Sequence, residues 1–95
     1  MTAYAIFIRD ETTDQAELDT YGSMVAAARV GHDITPLVRY GPFEVMEGEP
    51  AEGVVLLQFP SMAAAKAWYD SPLYQEALAH RLAGARYRVI FAEGV

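Results

Sequence analysis

The chain contains no cysteine, which removes a disulfide framework, a thiolate metal site and a thiol nucleophile at one stroke. It is poor in cations: seven Lys and Arg face thirteen Asp and Glu, for a formal charge of −6. Such a surface repels a phosphate backbone and an anionic bilayer alike, so neither nucleic acid nor membrane is an expected partner. Long apolar runs are also missing. The longest, near Tyr4 to Ile8, falls far short of the ~20 residues that a spanning helix needs. Two histidines with no spaced partner make a poor metal site, and no glycine-rich phosphate loop or dinucleotide fingerprint occurs. No cofactor is therefore expected; haem would have only those two unsupported histidines to ligate it. No basic leader or small-residue cleavage site precedes the first apolar run, so no secretory signal is expected and the cytoplasm is the expected location.

What remains is a composition that folds: 53% hydrophobic and 21% charged over 95 residues, enough for one domain spanning the whole chain. Ala3 to Arg9 reads as a strand that stops at Asp10-Glu11-Thr12-Thr13. A helix follows at about 14 to 30, with Asp14 and Glu17 as a capping box, Leu18, Tyr21, Val25 and Ala28 on one face, and Gly31 as its stop. Leu37 to Met46 reads as an edge strand because Gly41-Pro42 interrupts its ladder, and Val54 to Phe59 pairs with it across the Gly48 to Gly53 turn. Ser61 caps a short helix, Met62 to Tyr69. Ser71-Pro72 opens another to about Leu82, with Tyr74, Leu78 and Leu82 as its expected buried stripe, and Arg86 to Ala92 is the last strand. The order βαββαβ predicts an α+β fold: a ferredoxin-like antiparallel sheet with both helical segments on one face.

Both faces of that sheet are apolar. Tyr4, Ile6 and Ile8 alternate with Ala5 and Phe7; Val54 and Leu56 with Val55, Leu57 and Phe59; Ile90 and Ala92 with Tyr87, Val89 and Phe91. The helices can cover only one face. Leaving the other in water, at ~1.5–3 kcal/mol per large side chain, rivals the ~5–15 kcal/mol that holds a domain together. A homodimer through the sheet face is the expected solution.

The stretch Ser61-Met62-Ala63-Ala64-Ala65-Lys66-Ala67-Trp68-Tyr69-Asp70-Ser71-Pro72-Leu73-Tyr74-Gln75, with Phe59 before it and Arg81 after it, resembles the signature of a bacterial domain-of-unknown-function family, number 1330. Arg39-Tyr40-Gly41 and Glu44-Val45-Met46-Glu47-Gly48 resemble that family's second-strand motif, with Tyr40 standing where a second glycine is frequent. The resemblance covers essentially the whole chain. It implies a dimeric α+β barrel in which two ferredoxin-like sheets pack face to face. Within that superfamily are cofactor-free monooxygenases, haem-degrading monooxygenases and lactone isomerases, so it also implies a pocket between sheet and helices without specifying a reaction.

Several side chains are candidates for that pocket. His32 and Asp33 emerge together after Gly31, making His32 the acid–base candidate; the alternative is a solvated residue at a helix C-terminus. Arg39 lies in an apolar strand and needs an anion, either a ligand or a structural partner such as Glu44 or Asp10 of a second copy. Trp68, Tyr69 and Tyr74 suit either a core or an aromatic pocket wall, and Tyr4, Tyr40 and Tyr87 either a cavity or a sheet interface; Tyr40 is also a candidate to line the ligand pocket beside Arg39. His80 is expected on a helix flank. Ser61 and Ser71 are helix caps and not nucleophiles. Two functions follow: a small-molecule binder or cofactor-independent enzyme in which Arg39 holds an anionic or carbonyl group and His32 moves a proton, or a non-catalytic dimer with an interaction or stress-related role.

Overall fold

Alternate residues of the first strand meet opposite environments. Ala3, Ala5 and Phe7 are buried, whereas Tyr4, Ile6 and Ile8 between them are only half-buried. The computed structural model, which describes all 95 residues, explains the asymmetry. Its elements are β1 (Ala3–Thr12), α1 (Gln15–Ala28), β2 (Thr35–Arg39), β3 (Gly53–Phe59), α2 (Met62–Tyr69), α3 (Pro72–Gly84) and β4 (Ala85–Glu93). The four strands form one sheet in the order β2-β3-β1-β4, every neighbouring pair antiparallel. The helices lie on the Ala5–Phe7 side, where Trp68 of α2 meets Phe7 and Phe59. This is the expected ferredoxin-like α+β arrangement.

Helix ends follow local chemistry. The Asp14 carboxylate accepts from the amides of Ala16 and Glu17, satisfying donors that the first turn of α1 leaves free. The reciprocal half of the expected capping box does not form, because Glu17 turns instead to His80 Nδ1, 2.6 Å away, and ties α1 to α3. Ser71 serves two helices: its Oγ donates to the Trp68 carbonyl at the end of α2 and accepts from the Tyr74 amide at the start of α3. Pro72 follows in the first turn, where its missing N–H leaves no bond unmade.

Two strand ends and one helical face differ from expectation. β1 runs on to Thr12 instead of stopping at Arg9, because Asp10 and Glu11 face Arg88 and Arg86 on β4, and the paired charges carry the strand through a bulge. β2 ends at Arg39 and does not reach Met46; Tyr40 takes a left-handed conformation with φ 54°, which breaks the ladder before Gly41 and Pro42. On α3, Leu82 is 67% exposed and Arg81, at 3%, takes its place on the buried stripe with Tyr74, Ala77 and Leu78. The spacing explains this, since seven residues bring Arg81 to within about 20° of Tyr74 around the helix, whereas Leu82 lies about 80° off.

The core centres on Trp68, Tyr74 and Phe59, the largest side chains that are fully buried. The opposite sheet face carries no helix. Across it, Val38, Leu56, Ile6 and Ile90 stand in register on β2, β3, β1 and β4, a continuous apolar row over all four strands. The molecule is a slab about 17 Å thick, the depth of one helical layer on one sheet. No helix is long and apolar enough to cross a membrane.

The end of α3 abuts the start of α1 closely. The Gly84 carbonyl accepts from the amides of Thr13 and Asp14, and a Cβ at Gly84 would lie 3.0 Å from the Asp14 oxygen, Glu17 Cβ and Leu18 nitrogen. Gly84→Ala is therefore expected to destabilise the fold by about 1–3 kcal/mol, read as a lower midpoint in urea; an unchanged midpoint would show that this junction can yield.

Candidate functional site

α1 packs chiefly on α3, and open space is left beneath part of its inner face. The result is a cavity of about 360 Å³, near the lower end of the ~300–1,000 Å³ that small-molecule sites occupy. Leu18, Tyr21, Gly22 and Val25 form its roof. Its floor comes from the helix-facing positions of the strands, Phe7 and Arg9 on β1, Val55 and Leu57 on β3 and Tyr87 on β4, with Trp68 from α2 closing the back. Arg39 and Tyr40, at the end of β2, complete the rim.

The rim is held in a fixed geometry. The hydroxyls of Tyr40 and Tyr87 are 2.6 Å apart, bridging the two edges of the sheet. Tyr40 adopts its left-handed conformation over Gly53, where a Cβ would come within 2.6 Å of the ring, so only glycine admits the tyrosine there. From the other side the Arg9 guanidinium sits 4.9 Å from the Tyr40 ring centre, while its Nε lies 3.4 Å from Glu52. Burial and the bond to Tyr87 push the Tyr40 hydroxyl well above the usual phenol range.

Behind this rim, aromatic rings surround a second guanidinium. Tyr21 and Tyr74 share a hydroxyl contact of 3.1 Å, and burial pushes both phenols upward. Arg81 is inserted among Phe7, Tyr21 and Tyr87, its guanidinium carbon 5.7, 5.9 and 4.9 Å from their ring centres. It has no carboxylate partner. Its charge opposes the upward shift at Tyr21, Tyr40 and Tyr74.

Of the residues that the sequence singled out, Arg39, Tyr40 and Trp68 all line the cavity. Tyr74 stands one layer behind, stacked on Trp68 with ring centres 4.2 Å apart. Tyr69 lies further out, packed against Tyr74 and edge-on to Phe91. His32 does not join them: it sits beyond α1, its amide donating to the Arg29 carbonyl, and its side chain is not part of the wall. Arg39 forms no ion pair with Glu44, and Asp10 is held by Arg88 through two bonds of 3.0 and 2.9 Å. His80 is on the flank as expected, engaged with Glu17. Composition alone did not expose Arg9, Tyr21 and Arg81 as parts of this region; the signal for Arg81 was its seven-residue spacing from Tyr74. No three His, Asp or Glu side chains converge in a way that could hold a metal.

The chain matches no curated protein. Among solved structures it is similar to a protein of unknown function from Rhodopseudomonas palustris, 21% identical with a TM-score of 0.72 over 99% of this chain and 82% of that one. It is similar also to a dimeric ferredoxin-like protein of unknown function from Jannaschia, 19% identical with a TM-score of 0.65 over 99% of this chain and 100% of that one. SnoaB, a cofactor-independent oxygenase from Streptomyces nogalater, shares the fold at 11% identity, with a TM-score of 0.66 over 99% of this chain and 93% of that one. These likenesses agree with the ferredoxin-like sheet described above. The model of a family defined by a domain of unknown function, DUF1330, runs from residue 2 to residue 95, through every element of that sheet and its helices, and the chain belongs to this family.

Proposed function

We propose that the chain is a cytoplasmic homodimer whose protomers each bind a small organic molecule in the cavity under α1, and that any chemistry there runs on the chain's own side chains, without a bound cofactor. The observation that carries this reading is the convergence of Phe7, Tyr21, Tyr40, Tyr87 and Trp68 with Arg9 and Arg39 on one cavity of about 360 Å³. Aromatic walls with a few polar groups at fixed positions are what a small-molecule site requires. In this reading Arg39 and Tyr40 orient the ligand, Trp68 forms the wall against which it packs, and Tyr74 and Tyr69 brace Trp68 from behind. His32 receives no role, since it is not on the wall. SnoaB supports the possibility of chemistry on this scaffold, because that protein works without a cofactor.

Support for the dimer comes from the apolar row Val38-Leu56-Ile6-Ile90 on the face without helices, and from the dimeric state of the Jannaschia neighbour. Sedimentation equilibrium should give twice the chain mass of 10.5 kDa. Leu56→Asp places a charge at the centre of the row, and the variant is expected to sediment as a monomer or to lose its fold. A wild-type protein that stays monomeric at micromolar concentration would overturn the dimer.

Gly22 offers a test of the cavity. It lies on the roof in α1 with open space where its Cβ would be. Gly22→Leu should raise stability by about 0.5–1 kcal/mol, since glycine weakens a helix interior, while its side chain occupies the mouth. Binding of a small-molecule library, screened by ligand-observed NMR, should fall for this variant although its melting temperature rises. Equal binding by both proteins would place the ligand elsewhere.

A further inference from the structure

Three buried side-chain polar atoms have no hydrogen-bond partner: Arg9 Nε, Trp68 Nε1 and Arg81 Nε. All three are N–H donors, and all belong to the same region. Arg9 and Trp68 line the cavity, and Arg81 touches three of the rings that form its walls. Buried donors are nearly always satisfied, and a guanidinium that is 3% exposed normally faces a carboxylate. Here it meets neutral rings and the Tyr74 hydroxyl, and no carboxylate.

The charge distribution points the same way. The chain as a whole is acidic, with thirteen Asp and Glu to seven Lys and Arg. Yet Arg9, Arg29 and Arg39 all stand on the cavity wall, where there is no Asp or Glu, and Arg81 lies beneath it. Only Arg9 has a carboxylate nearby, Glu52 at 3.4 Å, and that contact leaves its Nε unbonded. An excess of positive charge next to a low-dielectric aromatic wall is stabilised most directly by an anion that enters with the ligand.

We infer that the ligand is a planar aromatic carboxylic acid in its anionic form, with its carboxylate received by Arg39 at the rim and its ring laid against Trp68 and the tyrosines. This rests on the reading of the cavity as a small-molecule site and adds the class of molecule that it takes. Arg39 is exposed on an edge strand, where its fork can meet a carboxylate two-pronged without leaving water. Arg81 and the Trp68 N–H are buried without a carboxylate partner, and the Arg81 charge lies among rings that line the cavity. The paired hydroxyls of Tyr40 and Tyr87 add polar groups beside the same rim. The cavity volume suits an acid of about one or two rings.

Trp68 is the only tryptophan, so the protein has one indole N–H resonance, and that resonance reports on the cavity wall. The experiment is an NMR titration of the uniformly nitrogen-15-labelled protein with benzoate, 4-hydroxybenzoate and 2-naphthoate, each beside its neutral amide. At least one acid should shift the indole resonance saturably and bind ten-fold or more tightly than its amide. Arg39→Gln should remove most of that preference, chiefly by weakening the acid. An amide that binds as tightly as its acid, with saturable shifts at Trp68, would overturn the anionic assignment and leave the cavity reading in place. No saturable shift from any acid or amide would overturn both. Retention of the full acid preference in Arg39→Gln would overturn the role given to that residue and, with it, the proposed orientation.

Discussion

Trp68 meets Phe7 nearly edge-on at 6.2 Å between ring centres, Phe59 at 5.5 Å and Tyr74 at 4.2 Å. One side chain thereby joins β1, β3, α2 and α3, and it is 1% exposed. These tilted and edge-on contacts bury large areas in orientations that the ring quadrupoles favour. The indole N–H, however, finds no hydrogen-bond acceptor in this packing. Rigid packing at the back of the cavity thus comes with an unsatisfied donor, a combination that an all-aliphatic core would not contain.

The break between α2 and α3 makes that packing possible. Trp68 and Tyr74 are six residues apart, which on a continuous helix would place them about 120° apart. Asp70, Ser71 and Pro72 interrupt the helix, and Ser71 closes one end while opening the next. The restarted helix turns Tyr74 back onto Trp68, and Arg81, two turns later on the same stripe, is carried into the aromatic layer. A short polar interruption in the sequence therefore sets the position of the one charge buried in the protein.

Much of the fold was legible from local chemistry. The three helix caps, the proline at the start of α3 and the alternation in β1 and β3 each have a short-range cause, so the elements and their order follow from the residues alone. Where expectation and structure part, non-local partners decide. Asp10 and Glu11 read as a turn until Arg88 and Arg86 stand opposite them, and Glu17 reads as a capping residue until His80 competes for it. The site was legible in part. Arg39, Tyr40 and Trp68 were selected by residue type, and the fold brings them together. His32 stands out in the sequence by its place after Gly31, beside Asp33 and ahead of Arg39, but the fold leaves it off the cavity lining. By residue type Leu82 is the core candidate beside Arg81, whereas helical angle places the arginine inward.

The Tyr40–Tyr87 hydroxyl contact has a mechanical side. It connects the end of β2 to β4, the outer strands of the sheet, which lie three strand spacings or about 14 Å apart. An open four-stranded sheet can change its twist by rotating each strand slightly against the next, and the outer strands then move most. Two tyrosines meeting tip to tip across the inner strands act as a tie-bar against that rotation. The width of the cavity mouth and the twist of the sheet are consequently one coordinate, and a molecule wedged beneath Tyr40 would be felt on the opposite face of the sheet.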